Sequence, residues 1–227
     1  MTPPPIILNH LTLQHGAQTV IRDLSGRFEP GTMTALLGAN GAGKTTLLRA
    51  IAGQHPIAAG NIDTGGLTPA GIAVLPQISE LDRGFPITCR DVVALGQTGR
   101  TGLFRSISAP RETDAALAAA GLPGLAARPI GRLSSGQFQR VLFARMMLQD
   151  APVLLLDEPF SAVDTATARD LIAILANWRA QGRTIVTALH DLELARELFP
   201  QTLLLAGQAT AWGPTATVLT EAHRQAA

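Results

Sequence analysis

One short segment constrains the fold of this 227-residue chain more than any other. Residues 38–45 read Gly-Ala-Asn-Gly-Ala-Gly-Lys-Thr and satisfy every fixed position of the pattern G-x-x-x-x-G-K-[ST]. An apolar run precedes them at residues 33–37, and residues 44–52 have the apolar spacing of a helix. A glycine-rich turn between a strand and a helix directs backbone N–H groups and the positive end of the helix dipole at an anion. The segment therefore predicts a phosphate-binding loop.

The residue types in this loop indicate its ligand. The Lys44 ammonium is placed to reach β- and γ-phosphates, and the Thr45 hydroxyl can ligate Mg²⁺. A chance glycine turn is the alternative, and the order of strand, turn and helix argues against it. The predicted nucleotide-binding residues of the loop are Gly38, Ala39, Asn40, Gly41, Ala42, Gly43, Lys44, Thr45 and Thr46.

Strand and helix patterns alternate along the chain and predict the α/β fold class with a parallel sheet. Two strands around His15 and Gly16 predict an N-terminal antiparallel hairpin. Helical patterns without convincing strands fill the stretch from about residue 88 to 150, which predicts an inserted helical subdomain within a single domain of residues 1–227. The predicted strands are 6–13, 19–28, 33–37, 71–75, 153–156, 184–189, 202–206 and 209–212, and the predicted helices are 44–52, 88–96, 111–121, 135–149, 165–180 and 191–198.

Composition excludes several classes of protein. The 18 basic and 17 acidic residues give a net charge of +1, so nothing suggests a nucleic-acid partner. No apolar run approaches the roughly 20 residues that a membrane-spanning helix needs. The first residues lack the basic and apolar blocks of a secretory signal, and the single cysteine, Cys89, excludes a disulfide framework and a Cys-rich zinc site. We therefore expect a cytosolic protein without a transmembrane segment or signal peptide.

A second segment adds two carboxylates. Residues 153–158 are an apolar run that ends in Asp157 and Glu158. Such a strand end is common on its own, but a strand parallel to the one before a phosphate loop brings its terminal carboxylate beside the nucleotide's metal ion. We therefore predict that Asp157 holds Mg²⁺, directly or through a water molecule, together with Thr45. Glu158 is positioned to act as the general base on the attacking water, and a solvated loop acid is the alternative.

Residues 133–137, Leu-Ser-Ser-Gly-Gln, precede a predicted helix and offer a second anion site. A serine there can cap the helix, and the free N–H groups of its first turn can bind phosphate. Alone, the segment is typical of an ordinary helix N-cap. One γ-phosphate cannot occupy two such sites distant in one chain, whereas a head-to-tail dimer brings each chain's second site to its partner's loop. We therefore predict a homodimer with nucleotide contacts from Ser134, Ser135, Gly136 and Gln137.

The order of the motifs identifies a family. They are the loop at 38–45, Gln77, residues 133–141, Asp157-Glu158, Ser161-Ala162-Val163-Asp164 and His190. With them the chain resembles the ATP-binding subunit of ABC transporters from about residue 6 to 220. The resemblance implies a P-loop ATPase core, ATP and Mg²⁺ as cofactors, and integral-membrane permease subunits as partners. It also implies that Gln77 senses Mg²⁺ and the attacking water, Asp164 communicates across the dimer, and His190 contacts the γ-phosphate, so that Gln77 and His190 join Glu158 as catalytic residues.

Two departures from the family pattern bear on the site. Ser135 stands where the signature usually has glycine, which should cost some backbone freedom while keeping a small side chain. The family usually stacks adenine on an aromatic residue in the first hairpin, often tyrosine, and this chain has no tyrosine. The aligned position is His15, whose imidazole stacks with less area. We expect hydrolysis to survive and adenine affinity to be lower.

The stretch after Gln77 resembles ATPases of zinc and manganese importers, in residues 85–96, in Gly102-Leu103-Phe104-Arg105 and in residues 157–161. The resemblance implies ATP hydrolysis that powers metal import, with zinc first, at the cytoplasmic face of the inner membrane. A periplasmic or surface metal-binding protein is then an indirect partner. The alternatives are manganese or iron-siderophore import, and a soluble ABC ATPase acting on DNA or ribosomes, whose usual coiled-coil arms, tandem cassettes or basic patches the chain lacks.

Overall fold

A six-stranded sheet forms the centre of the protein in the computed structural model, which describes residues 2–97, 110–161, 163–206 and 209–226. Five strands are parallel, and the edge strand β9 runs antiparallel to β8. The predicted fold class is confirmed, with a mixed rather than wholly parallel sheet. In spatial order the strands are β5 (Ile72–Leu75), β6 (Val153–Asp157), β7 (Thr184–Ala188), β3 (Met33–Gly38), β8 (Gln201–Ala206) and β9 (Ala209–Pro214).

Strand β6, the second in this order, is buried on both faces of the sheet. All five of its residues are buried, which is the reason its sequence is a continuous apolar run. Leu154 and Leu156 enter the core on one face of the sheet, whereas Val153 and Leu155 enter the core on the other. The apolar run therefore holds β6 in the middle of the protein and delivers its last residue, Asp157, to the sheet edge.

A second, three-stranded antiparallel sheet covers one face of the central sheet. Its order is β2 (Gln18–Phe28), β1 (Ile6–His15) and β4 (Ala59–Asp63). The β1–β2 hairpin agrees with the sequence prediction, whereas β4 was not predicted. The Phe28 ring lies 4.6 Å from the ring of Trp212 in β9, measured between centroids, and joins this sheet to the central one.

Helices cover the other face of the central sheet and flank its ends. Phe143 and Trp178 stack with ring centroids 5.5 Å apart and pack α4 against α5. The helices are α1 (Lys44–Ile51), α2 (Cys89–Ala94), α3 (Pro110–Ala119), α4 (Ser135–Gln149), α5 (Thr165–Ala180), α6 (Leu192–Leu198) and α7 (Thr215–Ala226).

Six of these helices agree with the sequence prediction to within a few residues, and α7 was not predicted. In the described part of the chain, no helix combines the length and apolarity needed to cross a membrane. The division into one domain with a helical subdomain at about 88–150 stays a prediction. Two segments named from the sequence, Gly102–Arg105 and the Ala162 position, lie outside the described residues.

Candidate nucleotide site

The predicted site residues gather at the carboxyl edge of the parallel sheet. The phosphate loop follows β3, Gln77 lies two residues after β5, Asp157 ends β6, and His190 lies two residues after β7. These four strands are consecutive neighbours in the order β5-β6-β7-β3. In open α/β sheets the crevice outside the carboxyl ends of the strands is where ligands bind.

The backbone of the phosphate loop requires glycine where it turns into α1. Gly43 is the N-cap of α1 and has a φ of 96°, which side-chain-bearing residues rarely adopt. A Cβ atom at this position would also lie 3.0 Å from Cγ1 of Ile21 in β2. The Lys44 Nζ donates hydrogen bonds to the carbonyl oxygens of Gly38, at 2.7 Å, and Ala39, at 3.1 Å. The lysine is therefore folded back onto its own loop, beside the place where an anion would sit.

Burial shifts the pKa of two charged groups in the site. Desolvation lowers the pKa of Lys44, while the carboxylates of Glu158 and Asp157 act in the opposite direction. Desolvation also raises the pKa of Asp157, which is only 4% exposed, and a hydrogen bond with the Thr45 side chain opposes that shift. Both charges are thus held where water solvates them poorly, so an added partner of opposite charge would be bound strongly.

Glu158 has the most constrained conformation in the site. Its φ is 49°, in the left-handed region, which costs on the order of 1–3 kcal/mol for a residue with a side chain. Its N–H donates to the carbonyl of Ala188 at 3.2 Å and holds the backbone in this state. Gln77 Nε2 and Ser161 Oγ donate to Oε2 of the carboxylate, at 2.9 and 3.1 Å, and His190 Nε2 contacts Oε1. A carboxylate directed in this way can accept a proton from a water molecule in the cavity.

A cavity of about 540 Å³ runs from the hairpin β1–β2 to His190. The structure thus brings His15 together with the phosphate loop, Gln77 and Glu158. Gly38, Ala39 and Ala42 face a neighbouring cavity on the other side of the loop. The larger cavity is lined by His15, Gln18, Val20, Asn40, Gly41, Gly43, Lys44, Thr45, Thr46, Arg49, Gln77, Glu80, Glu158 and His190.

Four residues of this cavity were missed by sequence reasoning: Gln18, Val20, Arg49 and Glu80. Arg49 Nη2 donates to Glu80 Oε2 at 2.5 Å, and the pair joins α1 to the turn after Gln77. The position of Arg49 could have been found, because it follows Thr45 by four residues on a helix and therefore shares its face. No comparable periodic signal marks Glu80, which lies in a short 3₁₀ turn.

The signature residues do not line this cavity. Ser134 caps α4: its Oγ accepts the N–H of Gln137 at 3.1 Å, and Gln137 Oε1 accepts the N–H of Ser134. Ser135 is the first residue of α4 and does not have a positive φ, so the backbone conformation at this position does not require glycine. Asp164 likewise caps α5 and accepts bonds from Thr167. The two caps lie side by side, since a Cβ on Gly136 would be 3.2 Å from the Thr167 hydroxyl.

Across residues 2–97, 110–161, 163–206 and 209–226, no three His, Cys, Asp or Glu side chains are grouped to hold a metal ion. Cys89 is fully buried in α2, and burial raises the pKa of its thiol, which disfavours the thiolate that binds metals. Next to the phosphate loop, the Asp157 carboxylate is hydrogen-bonded with the Thr45 side chain.

Comparisons with known proteins agree on the class. The profile of the ABC transporter family matches residues 21–161. The manganese transport system ATP-binding protein MntB of Bacillus subtilis is 37% identical over 225 residues, which cover 95% of this chain and 89% of that protein. The zinc transport system ATP-binding protein TroB of Treponema pallidum is 36% identical over 229 residues, which cover 97% of this chain and 85% of that protein. A solved inward-facing ABC transporter described as metal-chelate type superposes with a TM-score of 0.85 at 28% identity, over 96% of this chain and 86% of that one.

These similarities and the site define a P-loop ATPase of the ABC class. The chain belongs to the ABC transporter family and is similar over most of its length to ATP-binding subunits of manganese and zinc transport systems. It is therefore an ATP-binding protein with ATPase activity, as its sequence predicted.

Replacing Asp157 with Asn should stabilise the nucleotide-free chain. Because burial raises the pKa of Asp157, the folded chain binds the proton more readily than the unfolded chain does. The charged form therefore lowers the free energy of unfolding at neutral pH, and this effect fades as pH falls towards the ordinary aspartate range near about pH 4. Thermal denaturation should give Asp157→Asn the higher midpoint at pH 7, with a gap that narrows on acidification.

The matched control for this experiment is Asp63→Asn. Asp63 is exposed and accepts the N–H of Gly65, which an asparagine oxygen can also accept. Its midpoint should follow that of the wild type across the pH range. An Asp157→Asn midpoint equal to or below that of the wild type at pH 7 would contradict the interpretation.

Proposed function

We propose that this chain is the ATP-hydrolysing motor subunit of a metal importer, with zinc as the first cargo to test. Hydrolysis rests on one observation, the convergence of Lys44, Glu158 and His190 in a single cavity beside the phosphate loop. Metal import is supported by the similarity to manganese and zinc transport subunits. Manganese and iron-siderophore are the alternative cargoes, and a soluble ABC ATPase without a transport role is the alternative class.

The donor set beside the loop fits Mg²⁺. The Thr45 hydroxyl and the Asp157 carboxylate are hard oxygen ligands, which Mg²⁺ prefers, and Gln77 can hold the ion or a water bound to it. Mg²⁺ bound there would neutralise charge on the phosphates. The Lys44 ammonium would exchange the carbonyls of Gly38 and Ala39 for the β- and γ-phosphates, which relieves its desolvation.

Glu158 is the proposed general base. Its carboxylate would accept a proton from the water that attacks the γ-phosphate. Gln77 would keep its hydrogen bond to Glu158 Oε2 and so orient the carboxylate and the water. His190 now contacts Glu158, and its side chain is 43% exposed, so the ring has room to turn to the γ-phosphate. The exchange of this contact for a phosphate contact would free Oε1 for the water.

The proposed active form is a head-to-tail dimer. The signature residues Ser134–Gln137 cap a separate helix outside the nucleotide cavity, so they need a second chain to meet a γ-phosphate. The N-terminus of α4 would supply N–H groups to the partner's nucleotide. Asp164, which caps the neighbouring α5, would lie at the same interface and communicate between the two nucleotides.

Permease subunits are the proposed partners at the cytoplasmic face of the membrane, where the chain would be peripheral. Phe85 is 63% exposed and Leu95 is 47% exposed, at the two ends of the segment that resembles metal-importer ATPases. Contiguous exposed apolar surface is typical of protein contact sites, so these two side chains are the first to test for a permease contact. The metal-binding protein outside the membrane would be an indirect partner.

Replacement of Glu158 with Gln should lower hydrolysis at least about a hundredfold, because it removes the basic charge and keeps size and hydrogen bonding. ATP binding should persist, and a closed dimer should accumulate in size-exclusion chromatography with Mg-ATP. The control is Glu193→Gln, the same change at a 79% exposed acid on α6, which should hydrolyse ATP like the wild type. Normal turnover by Glu158→Gln would exclude this residue as the base.

His15 should contribute to adenine binding by stacking. His15→Ala should raise the dissociation constant for ATP severalfold, which corresponds to the loss of roughly 1 kcal/mol of ring contact, and His15→Tyr should tighten binding or leave it unchanged. Fluorescent ATP titration measures both. The control is His55→Ala, since His55 hydrogen-bonds the Gln14 carbonyl and does not line the cavity. Equal affinity for His15→Ala and wild type would mean that adenine is held elsewhere.

Reconstitution tests the cargo. The purified subunit should require Mg²⁺ for hydrolysis and show no specific zinc or manganese site of its own. In vesicles with its cognate permease and metal-binding protein, ATP should drive zinc uptake in preference to manganese and ferric siderophore. ATP-driven uptake of only an organic solute would overturn metal import while leaving the ATPase in place.

The same vesicles distinguish coupling from hydrolysis. Phe85→Ser should lower ATP-driven uptake together with the permease-stimulated part of hydrolysis, since it removes an exposed apolar contact. Hydrolysis by the isolated subunit should stay at the wild-type rate. Unchanged uptake would place the permease contact elsewhere.

A further inference from the structure

Gln139 lies in the first turns of α4 and is buried to 1% exposure. Its Nε2 donates a hydrogen bond of 2.7 Å to the backbone carbonyl of Pro159. Its Oε1 is also buried and has no hydrogen-bond partner among the residues that the structure describes. A half-satisfied amide in the core is less favourable than an apolar side chain of the same shape. Packing alone therefore does not account for a glutamine at this position.

The acceptor of this hydrogen bond belongs to the loop that carries Glu158. Pro159 follows Glu158 directly, at the point where the backbone leaves its left-handed conformation. On the other side, the N–H of Glu158 donates to the carbonyl of Ala188, and the carbonyl of Glu158 accepts the N–H of Ser161. Gln139, which lies on α4, thus holds the peptide group between Pro159 and the next residue. A shift of this carbonyl would change the direction of the Glu158 side chain.

The donor belongs to the helix that begins with the signature residues. Gln139 follows Gly136 by three residues, so both lie on one face of α4. On that face Gly136 adjoins Thr167 and Asp164, and Gln139 contacts Pro159. One face of α4 therefore contacts the loop after β6 near both ends of that loop. Any small rotation of α4 when the signature meets a phosphate would be transmitted to the Pro159 carbonyl.

We propose that Gln139 is a positioning residue that aligns Glu158 of its own chain through the Pro159 carbonyl. This inference rests on the proposed function, in which Glu158 is the base and the signature residues face the partner's nucleotide. Gln139 connects the two, so seating of α4 against one nucleotide fixes the base that acts on the other. The Gln139 side chain does not line the nucleotide cavity.

The test is Gln139→Met, which keeps length and volume and removes the donor. The maximal rate of ATP hydrolysis by the full chain should fall about tenfold, the effect of losing one hydrogen bond, while KM for ATP and the thermal midpoint stay close to wild type. The control is Gln149→Met on the same helix, where Nε2 donates to the Ile72 carbonyl at 3.1 Å, far from Glu158. It should hydrolyse ATP like the wild type. An unchanged rate for Gln139→Met, or equal losses in the two variants, would overturn the proposal.

Mixed dimers assign the chain on which Gln139 acts. Glu158→Gln silences one nucleotide site, and Gln139→Met is placed either on the same chain or on the partner, using two affinity tags. Slow hydrolysis only when the two substitutions are on different chains supports the proposal, because the remaining base then lacks its own Gln139. Slow hydrolysis only when they share a chain would show that Gln139 acts through the signature on the partner's nucleotide.

The failure of this proposal can be told from the failure of the proposed function. If Glu158→Gln itself hydrolyses ATP normally, the base is assigned wrongly and the proposed function falls. If Glu158→Gln is inactive and Gln139→Met is fully active, only the positioning role falls.

Discussion

Ala188, the last residue of β7, is paired in register with Leu36 of β3 on one side and with Asp157 of β6 on the other. Its carbonyl also accepts the N–H of Glu158. The phosphate loop begins two residues after Leu36, and His190 follows Ala188 by two residues. Because hydrogen bonding on both sides of β7 fixes these registers, the phosphate loop, Asp157 and His190 follow their strands at the same edge of the sheet. A slip of one residue would turn each side chain to the opposite face.

The charges that this register brings together oppose the stability of the nucleotide-free fold. Burial disfavours both the Lys44 cation and the Asp157 anion, and Glu158 is held in a left-handed backbone. A preorganised group of this kind needs no rearrangement of solvent when charge develops in a reaction, which is how enzymes lower barriers electrostatically. The buried apolar strands on either side of the site stabilise the fold, whereas the charged site residues do not.

The features that the sequence could predict are those with fixed chemistry or a period. The phosphate loop has invariant residue types, and β6 is a continuous apolar run, so both were found. Gln77 and His190 are single polar residues without a period, and only the order of motifs indicated them. The strand β4 could not be found, because it is mostly exposed and polar and exists through its pairing with β1. Gln139 lies within the motif of residues 133–141, but the burial of its amide against a backbone carbonyl is visible only in three dimensions.

The position of β3 in the sheet has a consequence for synthesis on the ribosome. Both neighbours of β3 in the sheet, β7 and β8, are formed by residues about 150 or more positions later in the chain. The N-terminal sheet is in turn joined to Trp212. The phosphate loop therefore leaves the ribosome early, whereas the strands that flank β3 are translated only when most of the chain has been made. Non-local pairing of this kind slows folding and leaves apolar strands exposed in the interval. Nascent chains of this protein are thus expected to need protection from aggregation until β8 has left the exit tunnel.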